Sequence, residues 1–312
     1  MAANYSLPEG WLINSEQNRQ SLTGAEGILN SYRSARVVEG MAISCSNNHD
    51  LSVDMNGTPG IIPRDETAYG ITEGKTRDIA VISRVGKPVC CVITGIETDE
   101  EGHISRLILS RRIPQEEALA AYIRTLAPGC VIPAVVTRVE RFGIFVDIGR
   151  GLNSFISLEN ISVSRIPSPN GNFSVGQSIF AVVTGFDDEG RICLSHKELL
   201  GTWEENIENF AVGQTVVGII RGIESYGIFI ELAPNLSGLA EAAEGYYPGD
   251  FVTVYIKNIL PSSMKIKLVI IDKALTMEFK TKYYITSGRL NYWEYSPVGC
   301  KSKRIFRIFD EE

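Results

Sequence analysis

The sequence predicts a mainly β protein: three small five-stranded barrels in tandem, joined by short helices and followed by a small C-terminal β-type extension. Three observations carry this. A segment of about twenty residues recurs within the chain, which marks a duplicated module. Each copy is rich in short β-branched runs broken by Gly, Asn and Pro, the signature of small antiparallel barrels rather than helical bundles. The composition, 44% hydrophobic and 21% charged with 29 Gly and 13 Pro over 312 residues, is that of folded domains and excludes a disordered chain, a collagen-like fibre or a coiled coil.

The repeat sets the frame. Pro128-Gly129-Cys130-Val131 leads through Glu140 to Phe142-Gly143-Ile144-Phe145-Val146-Asp147-Ile148. Val212-Gly213-Gln214-Thr215 leads through Glu224 to Tyr226-Gly227-Ile228-Phe229-Ile230-Glu231-Leu232. From Phe142 to Tyr226 the offset is 226 − 142 = 84 residues. In the first copy strands are expected near 130–139, 144–148, 153–157, 178–186 and 191–195. In the second they are expected near 215–223, 228–232, 237–241, 250–259 and 264–271. Gly143 and Gly227 are read as bends within strands. Five strands per module fits a barrel of the OB type.

Residues 37–113 read as a third, degenerate copy. It has strands at Leu51–Gly57, Gly60–Glu66, Ile79–Ile82, Pro88–Ile93 and Arg106–Ser110, but Asn47-Asn48-His49-Asp50 stands where the others carry aromatics. The expected organisation is an irregular N-terminal segment (1–36, with one helix near 25–34), the degenerate barrel (37–113) and a linker helix (114–127) with Pro114 at its first position. A barrel (128–198), a second linker helix capped by Thr202 (199–210), a further barrel (211–272) and the extension (273–312) complete it. The extension is expected to pack on the last barrel.

Charge and residue chemistry narrow the function. The 30 Lys and Arg against 37 Asp and Glu give a net charge of −7, which argues against unspecific binding to polyanions. The tail 273–312 runs the other way, with eight basic and five acidic residues, and its Lys301, Lys303, Arg304 and Arg307 read as a solvated face. Six cysteines without a Cys-x-x-Cys pair read as small hydrophobes in a reducing cytosol, without disulfides or metal. Three histidines, no Gly-rich phosphate loop and no nucleophile motif leave no catalytic residues to assign, so an enzyme is not expected, nor a cofactor. No apolar run is long enough to span a membrane, and Met1–Tyr5 does not open a signal peptide.

Small barrels of this type bind oligonucleotides on their second and third strands, with bases stacked on aromatic rings and phosphates met by basic side chains. Phe142 with Phe145, and Tyr226 with Phe229, are the candidate rings. One ring of each pair would serve equally well as barrel core, but recurrence of the pair as a unit favours a stacking platform. Arg138, Arg141 and Lys197 are available to the same groove.

These motifs resemble the S1 domain, an RNA-binding OB barrel found in tandem in the largest small-subunit ribosomal protein. Phe142–Gly149, Phe173-Ser174-Val175-Gly176-Gln177, Gly190–Lys197 and the connector Trp203-Glu204 before Phe210-Ala211-Val212-Gly213 carry the resemblance. It implies an RNA face of two aromatics, a histidine, an aspartate and an arginine. In the middle barrel these positions are Phe142, Phe145, Ser157 in place of the histidine, Asp187 and Arg191. In the last barrel they are Tyr226, Phe229, Glu241, Pro261 and Lys265, so the acid is absent and an anion replaces the histidine. The resemblance further implies that 37–112 either docks on protein, a ribosome or ribosomal protein, or simply supports the middle barrel, rather than stacking RNA. The expected function is thus non-enzymatic binding of single-stranded RNA, messenger RNA above all, in cytoplasmic translation. The alternative is a protein-interaction scaffold whose barrels have lost most RNA affinity. Oligomeric state is left open.

Overall fold

A computed structural model describes residues 7–188, 190–276, 281–302 and 304–309. Met1–Tyr5, Glu189 of the Asp187–Gly190 turn and Lys303 of the basic tail lie outside the described residues. Three closed five-stranded barrels follow one another. All share one order, in which the first strand pairs with the second and fourth and the fifth closes between the third and fourth. The third and fifth strands run parallel in each, and this single parallel pair gives the OB topology. The chain divides into two compact units, 1–126 with 147–153, and 127–146 with 154–312.

In the first unit the barrel comprises β1 (Val38–Cys45), β2 (Leu51–Met55), β3 (Thr58–Ile62), β4 (Pro88–Thr98) and β5 (Ile104–Ser110). Its core is Leu51, Val53, Met55, Ile62, Val89, Cys91, Leu107 and Leu109, all buried. Two helices precede it, α1 (Glu16–Leu22) and α2 (Gly24–Arg33), where the sequence reads as irregular outside one helix. Ser15 caps α1 by accepting from the Asn18 amide, and Leu22 and Ile28 carry the helices into the barrel core. Ile79–Ile82 is a helix, α3 (Asp78–Ile82), not a strand. With Asp78 in the first turn and only Val81 buried, this short run pairs with no ladder, and period-2 alternation has nothing to face. α4 (Arg112–Ala121) begins two residues before Pro114, which therefore sits in its first turn rather than at its first position.

Glu9 anchors this unit. Its carboxylate accepts from Arg111 Nε (2.6 Å), Arg111 Nη2 (2.8 Å), Arg84 Nη1 (2.9 Å) and the Cys90 amide (3.1 Å). Burial would raise that carboxyl, but the Arg111 and Arg84 guanidiniums outweigh it and hold it down at about 2. This explains why Cys90 and Cys91, on opposite faces of β4, are both fully buried: Cys91 fills the barrel and Cys90 lies under the Glu9 segment.

The second unit holds the other two barrels apart from residues 147–153. One comprises β6 (Val131–Glu140), β7 (Gly143–Asp147), β8 (Asn153–Ser157), β9 (Ser178–Phe186) and β10 (Ile192–Ser195). The other comprises β11 (Thr215–Glu224), β12 (Gly227–Ala233), β13 (Leu236–Ala240), β14 (Phe251–Leu260) and β15 (Lys265–Lys273). Gly143 and Gly227 open their strands instead of bending them midway. Between the barrels lies α5 (Trp203–Ile207). Thr202 Oγ1 accepts from the Glu205 amide and Glu205 accepts from the Thr202 amide, a complete capping box.

The C-terminal extension carries a two-stranded ladder, β16 (Tyr292–Glu294) with β17 (Phe306–Ile308). Trp293, Tyr295 and Phe309 join one buried cluster with the core of the last barrel, and that cluster also takes in Val182, Leu199 and Trp203. The extension reaches the middle barrel as well. The Val131 amide donates to Gly288 O, the Leu290 amide to Gly129 O, and Tyr283 meets His196 Nε2 at 2.9 Å. It packs on two barrels, not one.

Candidate nucleic-acid interface

The middle barrel presents three aromatic rings together. Phe142 stands in the β6–β7 turn and is 58% exposed, while Phe145 on β7 and Phe155 on β8 are half-buried. Ring centroids lie 6.4 Å apart for Phe142–Phe145, edge to face, 5.6 Å for Phe142–Phe155 and 5.0 Å for Phe145–Phe155. The β7 backbone must come close to β8 for this. A Cβ on Gly143 would meet the Ile156 carbonyl oxygen and lie 2.5 Å from the Phe155 ring. Glycine is therefore the residue that lets the rings converge. Phe155 escapes a reading of the sequence because its equivalent in the duplicated barrel, 84 residues on, is Leu239.

Strand register places the polar groups. Cys193 on β10 pairs with Phe155, so Arg191, two residues earlier, lies on the same outward face. Arg191 Nε donates to Asp187 Oδ2 at 2.7 Å and the Arg191 amide to Asp187 Oδ1 at 2.8 Å. Burial and then the Asp187 carboxylate raise the Cys193 thiol, while Arg191 lowers it. Exposed ion pairs of this kind hold by little, and the guanidinium can exchange its carboxylate for a phosphate. Arg138 is paired with Glu140 on its own strand at 2.5 Å.

Ser157 and Lys197 lie at the other end of the platform. They line a groove of about 600 Å³ that begins at Phe142. Asn160 Nδ2 donates to Ser157 Oγ (3.0 Å), and Lys197 Nζ donates to the Glu159 carbonyl (2.9 Å). Burial lowers the Lys197 ammonium below its ordinary value. His196, next to it, is buried, and its Nδ1–H donates to Ile161 O (3.2 Å). A carbonyl only accepts, so the tautomer is set and Nε2 accepts from the Tyr283 hydroxyl. Burial holds His196 down at about 4, neutral. It works in the packing and not in the site.

The last barrel keeps part of this pattern. Tyr226 is 67% exposed and meets Phe229 edge to face at 6.1 Å. Leu239 pairs with Phe229 on one side and with Lys267 on the other, so an aliphatic side chain fills the third ring position. Lys265 and Lys267 are exposed on the outward face of β15, and Lys267 occupies the place of Cys193. Glu241 and Pro261 are both exposed. This face has two rings and two lysines against one carboxylate. The first barrel has Asn47–Asp50 in its β1–β2 turn, with His49 but no Phe or Tyr there.

Among the described residues no group of three or more His, Cys, Asp or Glu side chains could hold a metal ion, and no described helix is long and apolar enough to cross a membrane.

An exposed ring cluster flanked by basic groups on an OB barrel defines a class, the oligonucleotide-binding barrels. Within it, residues 125–197 match the S1 RNA binding domain, and that segment belongs to this family. Over about 70% of its length the chain is similar to the bacterial small ribosomal subunit protein bS1. It is 29% identical to that of Leuconostoc lactis over 239 residues, 70% of this chain and 52% of the relative. It is 30% identical to that of Streptococcus pneumoniae over 230 residues, 72% of this chain and 52% of the relative. The chain thus spans about half the length of the curated relatives it matches. A crystal structure of a multidomain protein with nucleic acid binding domains from Streptococcus pneumoniae aligns with 78% of this chain and 75% of its own, at 17% identity and a TM-score of 0.25.

Proposed function

We propose that this chain is a non-enzymatic, cytoplasmic, single-stranded RNA-binding protein of the ribosomal S1 type, acting on messenger RNA in translation. The observation that carries this is the Phe142–Phe145–Phe155 cluster, with its most exposed ring in a turn, on the segment that matches the S1 RNA binding domain. Bases stack on these rings, Arg191 and Lys197 meet phosphates, and Asp187 and Ser157 offer hydrogen-bonding groups to base edges. The last barrel contributes Tyr226, Phe229 and Lys265 more weakly, because Glu241 stands beside the path of an anionic strand. Residues 37–112 serve docking on a ribosome or ribosomal protein, since their β1–β2 turn carries no Phe or Tyr pair like those of the other barrels.

The test is fluorescence anisotropy with labelled single-stranded RNA at two salt concentrations, on the intact chain and on Phe142→Ala/Phe145→Ala. Binding that weakens with salt and loses about 1–3 kcal/mol per base no longer stacked supports the platform. No binding by the intact chain at low salt defeats it. The protein-interaction scaffold then takes its place, a reading favoured by the net charge of −7 and by the exposed Glu241.

A further inference from the structure

The groove that opens from Phe142 is walled by two segments of the middle barrel that one residue of the last barrel bridges. Asn235, in the β12–β13 turn of the last barrel, is 1% exposed and adopts a left-handed backbone with φ +69°. Its Oδ1 accepts from the Val163 amide (2.8 Å), its Nδ2 donates to the Lys197 carbonyl (2.7 Å) and its own amide donates to Ser162 Oγ (3.2 Å). The Tyr295 hydroxyl of the extension closes the set by donating to its carbonyl. Every polar group of Asn235 is thus spent on fixing the wall at 162–163, the wall at 197 and the extension that brings Ile305 to the groove. The corresponding residue of the middle barrel, 84 positions earlier, is Gly151, which has no side chain to do this.

We propose that this groove is a second RNA subsite, which takes the nucleotides immediately beyond the one stacked on Phe142. The inference rests on the RNA-binding reading above and extends it to the course of the strand. Leu158, Ile166 and Ile305 form an apolar floor for a base, and the Ser157 and Ser164 hydroxyls stand at its edge. Arg165 and Lys197 supply positive charge at the rim for phosphates. Arg165 is exposed and has no ion-pair partner among the described residues. Lys197 has spent one of its three N–H donors. Glu159 is the one acid of the lining; it repels phosphate and accepts from a base N–H, such as N3–H of uracil, which orients the strand with its backbone toward Arg165. At about 600 Å³ the groove has room for more than a single base.

The test compares labelled oligouridylates of three and eight nucleotides. Arg165→Glu is made at an exposed position, with Arg33→Glu on α2 as the control for charge reversal, and Asn235→Gly tests the positioning role. Arg165→Glu is expected to weaken the eight-mer about tenfold and to lower the salt slope of log K by about 0.7 for the lost phosphate contact. Its affinity for the three-mer is expected to match the intact chain, and Arg33→Glu is expected to change neither. With 4-thiouridine placed along the eight-mer, one position crosslinks to 162–166 in the intact chain and loses that crosslink in Asn235→Gly. Equal eight-mer affinity in Arg165→Glu and the intact chain, with crosslinks confined to β7 and β8, overturns the subsite and leaves the platform standing. A crosslink to 162–166 that Asn235→Gly retains removes Asn235 from the account. Failure of the intact chain to bind either oligomer takes down the RNA reading and this subsite together.

Discussion

At the scale of single residues, packing and chemistry meet at Gly143. Adding one methyl there drives it against the Ile156 carbonyl and the Phe155 ring. Gly143→Ala is expected to cost about 1–3 kcal/mol in a denaturant titration, the range for overpacking, and to lose RNA affinity beyond what that accounts for, because the rings separate. Phe155→Ala is expected to weaken RNA binding as Phe145→Ala does, although Phe155 has no aromatic counterpart in the other copy. His196 sets a pH dependence. Its folded pKa of about 4 lies below the ordinary 6.5, so between those values the unfolded chain binds a proton that the folded chain does not. The stability contributed by neutral His196 is complete above about 6.5 and is lost as pH falls toward 4. His196→Asn is expected to flatten that part of a melting-temperature profile. Glu9 acts in the same direction in a lower window, from its ordinary 4.5 to about 2.

At the scale of elements, the strands of the two duplicated barrels were legible, while β1 of the first barrel was not and the helices were legible only in part. Strand ranges in the duplicated barrels follow directly from β-branched runs between Gly-marked turns, and β8 and β9 fall where the runs place them. The Ile79–Ile82 run misleads because β-branched composition is a weak guide in a four-residue stretch; Asp78 and the lack of a partner strand decide for a helix. The Glu16–Leu22 helix is hidden because its apolar face is slight and its stability comes from tertiary contacts, including the bonds between Asn18 and Glu39. Of the candidate site, the ring pairs and the Asp187–Arg191 turn were visible as motifs. Phe155, Lys267 and the groove were not, since each depends on register or on a turn in another barrel. The Thr202 capping box was legible at its N-cap, and its energetic weight is testable. Thr202→Ala is expected to cost about 1 kcal/mol and to loosen Trp203, which a shift in tryptophan emission would show.

At the scale of the whole molecule, the repeat sets the three barrels and the extension ties two of them. Arg307 reaches Glu198, fully buried, at 2.6 Å and Asn160 at 2.9 Å, while Gly288 and Leu290 bond to the start of β6. Arg307→Ala leaves the Glu198 carboxylate buried without its counter-ion and is expected to cost about 3–5 kcal/mol. A chain ending at residue 280 is expected to lose hydrogen-exchange protection at Val131 in the middle barrel as well as in the last one. A loss confined to the last barrel would contradict the shared role of the extension. The same arrangement bears on how the chain is made. When its last strand β10 has emerged from the ribosome, the middle barrel still has its Val131 amide and His196 ring without their partners Gly288 and Tyr283, which follow roughly ninety residues after Ser195. At 5–20 residues per second that delay is several seconds. A nascent chain stalled within it would hold a barrel with its strands closed and its flank bare, which is the interval in which a chaperone would find most to bind.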